Sequence, residues 1–226
     1  MPSRSGSSSA RVRAITSIVA LSIAYAALRY NVLGGVPWSD FPLFILNKGI
    51  ALGSVALIAV SYLANRWMPP APEAREPRRR LARQAGLTGF ALASAHALAS
   101  FVLFVPAYYP RLFAGGELST AGQVCLVAGA LATALFTLPF VYSVEAFLTT
   151  LGRENWKRAQ RLGYAALAIT AVHVASIGMK NWVTPSAWPG GLLPISLISF
   201  LACVVPIGVK FGFRRPVERP VLEQRA

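Results

Sequence analysis

Long apolar blocks alternate with short polar ones along this chain. Six blocks, at residues 14–33, 41–64, 85–105, 121–147, 162–179 and 191–209, each come close to the 20 or so apolar residues that carry a helix across a hydrocarbon core of roughly 30 Å. The pattern predicts an all-α fold: a polytopic membrane protein built as a six-helix transmembrane bundle. It divides the chain into an N-terminal tail at 1–13, a six-span domain at 14–209 and a C-terminal tail at 210–226. The basic, serine-rich start is followed by an apolar run too long for a signal-peptide core, with no clear cleavage site, so the run is expected to be retained as the first span. Between the second and third blocks, Pro69, Pro70, Pro72 and Pro77 predict a helix-free, mobile loop over 68–80. Pro139 and Pro206 fall inside the fourth and sixth blocks and predict kinks that neighbouring helices accommodate.

Charge then orients the bundle. Eighteen of the 22 basic residues fall in the N-terminal tail, the loops after spans two and four, and the C-terminal tail. By the positive-inside rule both termini are expected in the cytoplasm. The outer connections carry Pro37, Trp38, Tyr108, Tyr109, Trp182 and Trp188, the aromatic belt of a membrane interface. A net charge of +14 would suit a nucleic-acid binder if it formed one face of a soluble fold, but here the basic residues are scattered between apolar blocks that make the chain 55% hydrophobic and only 13% charged. The expected partner is a lipid bilayer, with no nucleic acid. Cys125 and Cys203 both sit within apolar blocks and suggest neither a disulfide framework nor a zinc site. No Gly-x-Gly-x-x-Gly follows a strand-like run, so no dinucleotide-binding module is expected.

The chain has only two histidines, and each lies ten residues after a glycine, as Gly86 to His96 and Gly163 to His173. Spans three and five both leave the basic side, so ten residues place each imidazole about 15 Å deep, near the midplane. An imidazole in hydrocarbon is costly without a partner, and neutral imidazole is a common metal ligand. Two at one depth, on helices of the same polarity, suit the two axial positions of a single buried heme. Positions three and four residues away on the same faces include Ala93, Ala99, Ser100, Thr170 and Ser176, small enough to leave room for a flat macrocycle or for close helix packing. A structural zinc would require four ligands, and no third or fourth candidate lies nearby.

The stretch from Leu148 to His173 carries Leu151, Gly152, Trp156, Arg161, Leu162 and Tyr164 before the histidine. In this it resembles the ferric reductase-like transmembrane domain family, which includes the heme-binding membrane subunit of the bacterial methionine sulfoxide reductase system. Gln160 stands where that family has the histidine of a His-Arg-Leu sequence, which removes a ligand for a second heme. The remaining pair is similar to the single-heme arrangement of the six-helix STEAP-type metalloreductases. The resemblance implies one heme b, ligated through its iron by His96 and His173, in a protein of the inner (plasma) membrane. It implies electron transport between a cytoplasmic or quinol donor and an outer acceptor. A midplane heme also implies a second carrier, such as FMN, a quinone or the cofactor of a soluble or membrane redox partner.

Other charged residues in or near the spans are weaker candidates. Lys48, with Arg29 and Lys180 at comparable outer depth, is a candidate for a heme propionate or an anionic quinone headgroup, or else reaches out to the interface. Arg83, Arg158 and Arg161 on the basic side are candidates for propionates or a flavin phosphate and serve topology equally well. Glu145 is expected to form an interfacial ion pair. The competing reading is a cofactor-free assembly subunit or small transporter, in which both histidines serve packing or proton linkage.

Overall fold

The computed structural model describes residues 4–64, 72–144 and 153–212. They form six main helices: α1 (Arg4–Ala27), α2 (Leu46–Leu63), α3 (Pro72–Leu103), α4 (Thr120–Val141), α5 (Arg153–Trp182) and α6 (Ile195–Gly212). Wider π-type turns continue α1 through Leu28–Val32 and lead into α2 from Phe41–Ile45. All six segments are long and apolar enough to cross a membrane. Around an apolar core, many large apolar side chains face outward and several polar ones are buried. Leu21, Leu98, Phe101, Val102 and Val127 stand 65% to 70% exposed, while Ser22, Arg29, Asn31, Asn47, Ser54 and Ser199 are buried. Lipid solvates the apolar faces, and polar side chains find their partners only inside the bundle. This is a multi-pass architecture for a bilayer.

Packing closes α2, α3, α4, α5 and α6 into a ring, in which each helix touches the next and α6 returns to α2. Helix α1 lies outside, mainly against α2. More than half of the apolar window of α2 is buried, against a third or less for any other span, so α2 is the most enclosed helix. The two helices that carry the histidines, α3 and α5, are not neighbours in this ring. Its weakest seam lies between α3 and α4.

Side-chain contacts show that alternate helix ends meet. At the basic end, Arg11 Nε donates to Gln84 Oε1 (3.2 Å), Arg83 Nε to the Ser143 carbonyl (2.8 Å) and Gln160 Nε2 to Ser143 Oγ (3.4 Å), tying the starts of α1, α3 and α5 to the end of α4. At the opposite end, Tyr25 Oη and Arg29 Nε both donate to the Leu193 carbonyl (2.8 and 3.0 Å). Phe44 there stacks on Tyr108 and Tyr109. A short hairpin, β1 (Phe113–Ala114) with β2 (Glu117–Leu118), turns through Gly115 and Gly116 at φ +60° and +89° before Ser119 caps α4.

Helix α3 overturns the loop expected over 68–80, at least from residue 72 onward. Pro72 opens the helix, where its missing N–H has no helical acceptor to lose. Pro77 comes only one turn later, so it forfeits one early bond while its fixed φ suits the helix. Glu76 adds local support by accepting from Arg80 Nε at 2.8 Å. Helix α5 likewise starts at Arg153, nine residues before the expected 162, and α1 reaches back into the expected tail. Helix α4 ends at Val141 rather than 147, and Glu145 lies outside the described residues.

Candidate functional site

His96 and His173 project from α3 and α5, and each is held by an acceptor on the ring neighbour of its own helix. His96 Nδ1 lies 2.9 Å from Asn47 Oδ1 of α2. The amide nitrogen of Asn47 donates to Ser100 Oγ at 3.2 Å, so Oδ1 is left as the acceptor and the proton belongs on His96 Nδ1. Ser100 Oγ is itself 3.4 Å from His96 Nδ1, a second acceptor within reach. His173 Nδ1 lies 2.8 Å from the Cys125 carbonyl of α4. A carbonyl only accepts, so this ring too carries its proton on Nδ1. Both imidazoles therefore present a bare Nε2 lone pair, and among the described residues no hydrogen bond engages either Nε2.

Glycine makes the second of these contacts possible. A Cβ on Gly129, one turn after Cys125, would come within 2.9 Å of His173 Nδ1 and 3.0 Å of Cε1. The ring approaches α4 this closely only because that atom is missing. Ser176 Oγ donates to the His173 carbonyl (2.7 Å) and Thr170 Oγ1 to the Ala166 carbonyl (2.8 Å), so both hydroxyls are satisfied on their own helix.

The glycines ten residues before each histidine do a different job. A Cβ on Gly163 would sit 1.6 Å from Tyr62 Oη, and one on Gly86 would sit 3.4 Å from Ser61 Cβ. Both positions receive the last turn of α2, and Tyr62 then packs edge-on against Tyr164 at 4.7 Å. Only Gly163 is required by such an approach: at Gly86 a Cβ would make an ordinary van der Waals contact, so the matching spacing has no common cause in the packing.

Lys48 follows Asn47 and points into an aromatic cage rather than out to the interface. Its Nζ lies 4.2 Å from the Phe44 ring, 4.9 Å from Tyr109 and 5.2 Å from Tyr30. Arg29 flanks the same Tyr30 ring at 5.4 Å and is itself buried. No carboxylate pairs with either cation among the described residues. Burial raises the Tyr109 phenol above its ordinary range, which keeps it neutral beside Lys48. Lys180 is exposed.

On the basic side, Arg83 lines a cavity of about 660 Å³ between α2, α3, α4 and the start of α5. Arg158 and Arg161 are exposed on the first turns of α5 and do not line it. Gln160 does, and it meets Arg83 at Ser143, to which both side chains donate. Among the described residues no group of three or more His, Cys, Asp or Glu side chains comes together.

Sequence reasoning found both histidines and missed what holds them. Asn47 had a readable signal, an amide inside an apolar block. The Cys125 carbonyl had none, since any residue supplies one, and only Gly129 one turn on hints that something approaches there. Compared with models of known protein families the chain matches none, and no curated protein matches it.

Proposed function

We propose that the protein is a membrane b-type cytochrome that holds one heme b between His96 and His173 and passes single electrons across a bilayer. One observation carries this reading: two imidazoles, on non-adjacent helices of the same polarity, have Nδ1–H committed to an acceptor and Nε2 left bare. Metal-ligating histidines have this arrangement, because a hydrogen bond at one nitrogen fixes the tautomer and raises the basicity of the other. A histidine kept only for helix packing gains nothing from a bare nitrogen in hydrocarbon.

The donor set fits the group. Asn47 and Cys125 orient the two rings, Gly129 gives one of them room, and Ala93, Ala99 and Ser100 keep the neighbouring α3 surface small. The apolar spans exclude water around the pair. When bound, an iron porphyrin supplies a one-electron couple whose potential follows its axial ligands and their hydrogen bonds. Lys48, Arg83, Arg158 and Arg161 remain proposed contacts for propionates, a flavin phosphate or a quinone. Of these, Lys48 has the strongest support, as a half-buried cation next to Asn47 that no carboxylate neutralises among the described residues. The positive-inside rule orients the basic end toward the cytoplasm, with both termini there, and the bacterial resemblance favours the inner (plasma) membrane. A redox partner supplies or takes the electron, with FMN or a quinone as the class of second carrier.

Absorption spectroscopy on the purified protein tests the proposal. The expected result is a reducible Soret and α band, abolished in His96→Ala and in His173→Ala. A wild-type protein without these bands, and without copurifying iron, overturns it in favour of a cofactor-free membrane subunit.

A further inference from the structure

Two cations at the end opposite the basic one, Arg29 and Lys48, stand inside apolar spans with no anion beside them among the described residues. Arg29 is 6% exposed and makes one hydrogen bond, from Nε to the Leu193 carbonyl at 3.0 Å, while its two Nη groups make none. Lys48 Nζ makes only the three ring contacts of its cage, and both cations share the Tyr30 ring. The connections at this end, residues 28–45, 104–119 and 183–194, are all described, and their two carboxylates, Asp40 and Glu117, pair with neither cation. Arg111 donates to Asn181, and Lys180 is exposed. Charged N–H groups in an apolar span are costly without an acceptor, so this end calls for an anion.

The histidine pair lies close to the same end. Its holders, Asn47 and Cys125, fall in the first two turns of α2 and α4, and sixteen more residues, about 24 Å, carry those helices on to Leu63 and Val141 at the basic end. Lys48 is the residue after Asn47. Arg83 and Arg161, by contrast, stand thirteen and twelve residues before His96 and His173, about 18–20 Å along their helices.

We propose that Arg29 and Lys48 hold the propionate carboxylates of the group seated between His96 and His173, so that its charged edge faces away from the basic end. The assignment rests on the heme reading and deepens it. Two unpaired cations match the two carboxylates that such a group carries, and each supplies N–H donors that no protein atom engages among the described residues. The basic-end arginines are then left for topology or for a second carrier.

The test reconstitutes the full-length, heme-free protein with protoheme or with protoheme dimethyl ester, whose propionates carry no charge, and reads retention by the Soret band after detergent dilution. The wild type should hold protoheme about ten- to hundred-fold more tightly than the ester, the worth of hydrogen bonds to charged groups. Lys48→Met and Arg29→Gln should each reduce that preference, and the double variant should abolish it, with the ester held as in the wild type. Arg29→Gln also gives up the Nε bond to Leu193, so Lys48→Met, which removes no hydrogen bond, keeps the test readable if the other variant fails to fold. Equal retention of the two porphyrins by the wild type overturns the proposal and leaves the heme reading standing. A Lys48→Met protein that loses both alike overturns it too, because the cation then serves the fold rather than a carboxylate. Loss of the preference in Arg83→Gln or Arg161→Gln, with Lys48→Met unchanged, overturns it in favour of the opposite orientation. A wild type that takes up neither porphyrin overturns the heme reading itself and this assignment with it.

Discussion

Asn47→Ala tests the site most directly, because it removes the acceptor that fixes the His96 tautomer without touching a ligand atom. Two hydrogen bonds are lost, at 2.9 Å to His96 and 3.2 Å to Ser100. Buried interhelical bonds in membranes are worth about 0.6 kcal/mol on average and up to about 1.7 kcal/mol. An imidazole N–H left unsatisfied in the interior raises the loss toward the upper end, giving about 1–2 kcal/mol in total. At about 2–4 °C per kcal/mol for a chain of this size, the melting temperature should fall by about 2–8 °C. Loss of such an orienting partner typically weakens metal retention by about 10–100-fold.

Ser100 moderates the single variant. Its hydroxyl is already 3.4 Å from His96 Nδ1 and is freed to accept once the Asn47 amide is gone. Heme retention, read by pyridine hemochrome after detergent dilution, should therefore fall about ten-fold in Asn47→Ala and further in Asn47→Ala/Ser100→Ala. The double loss should exceed the sum of the single ones, as expected for residues that share a partner. Asn47→Asp keeps an acceptor and adds charge, so it should retain heme at a lower midpoint potential. Unchanged retention and melting in both Asn47→Ala and the double variant would refute the claim that this pair holds the ring.

Other substitutions probe different links. Gly163→Ala should destabilise the bundle by about 1–3 kcal/mol, since its Cβ would fall 1.6 Å from Tyr62 Oη and 2.7 Å from Cζ; adding Tyr62→Ala should recover part of the loss in thermal melts. Gly129→Ala should leave the helical circular dichroism intact while shifting or bleaching the Soret band, because the new methyl pushes the His173 ring off α4. Lys48→Met should leave the melting temperature unchanged or higher, since relieving a half-buried cation that no carboxylate pairs with among the described residues offsets its three aromatic contacts, worth about 2 kcal/mol together. A fall of more than about 5 °C in that variant would show that the cage is a structural device rather than a waiting anion site.

The six spans were legible because hydropathy is what a bilayer selects: each apolar block holds one helix, with the ends of the third and fourth blocks and the start of the sixth falling outside it and single residues lost from the first and second. Their basic ends were not. Residues 72–84 are helical through charge pairing and continuation from a membrane helix, and neither leaves a hydropathy signal. The proline rule misled there because its penalty depends on position: Pro72 and Pro77 sit in the first two turns, where little bonding is at stake. His96 and His173 stood out by rarity and matched depth. The reason for Gly163 was hidden, because a close approach by Tyr62 is a tertiary fact with no local trace. Lys48 could be placed at the right depth from sequence, but its cage draws on Tyr30, Phe44 and Tyr109 from three separate segments.

The ring order explains why the histidine holders come from where they do. Helices α3 and α5 are separated by α4 on one side and by α2 with α6 on the other, so neither histidine helix can supply the other's acceptor. Each ring must be fixed by a neighbour that runs the opposite way, α2 for His96 and α4 for His173. These bonds use protein atoms alone and leave both Nε2 atoms uncommitted, so a ligand entering between α3 and α5 would break no existing hydrogen bond at those atoms. The conformational cost of orienting the two imidazoles is then met during folding rather than at binding, the condition under which few contacts give tight retention. Two packing histidines would call for the opposite design, with every polar atom spent on a neighbour before the bilayer closes around it.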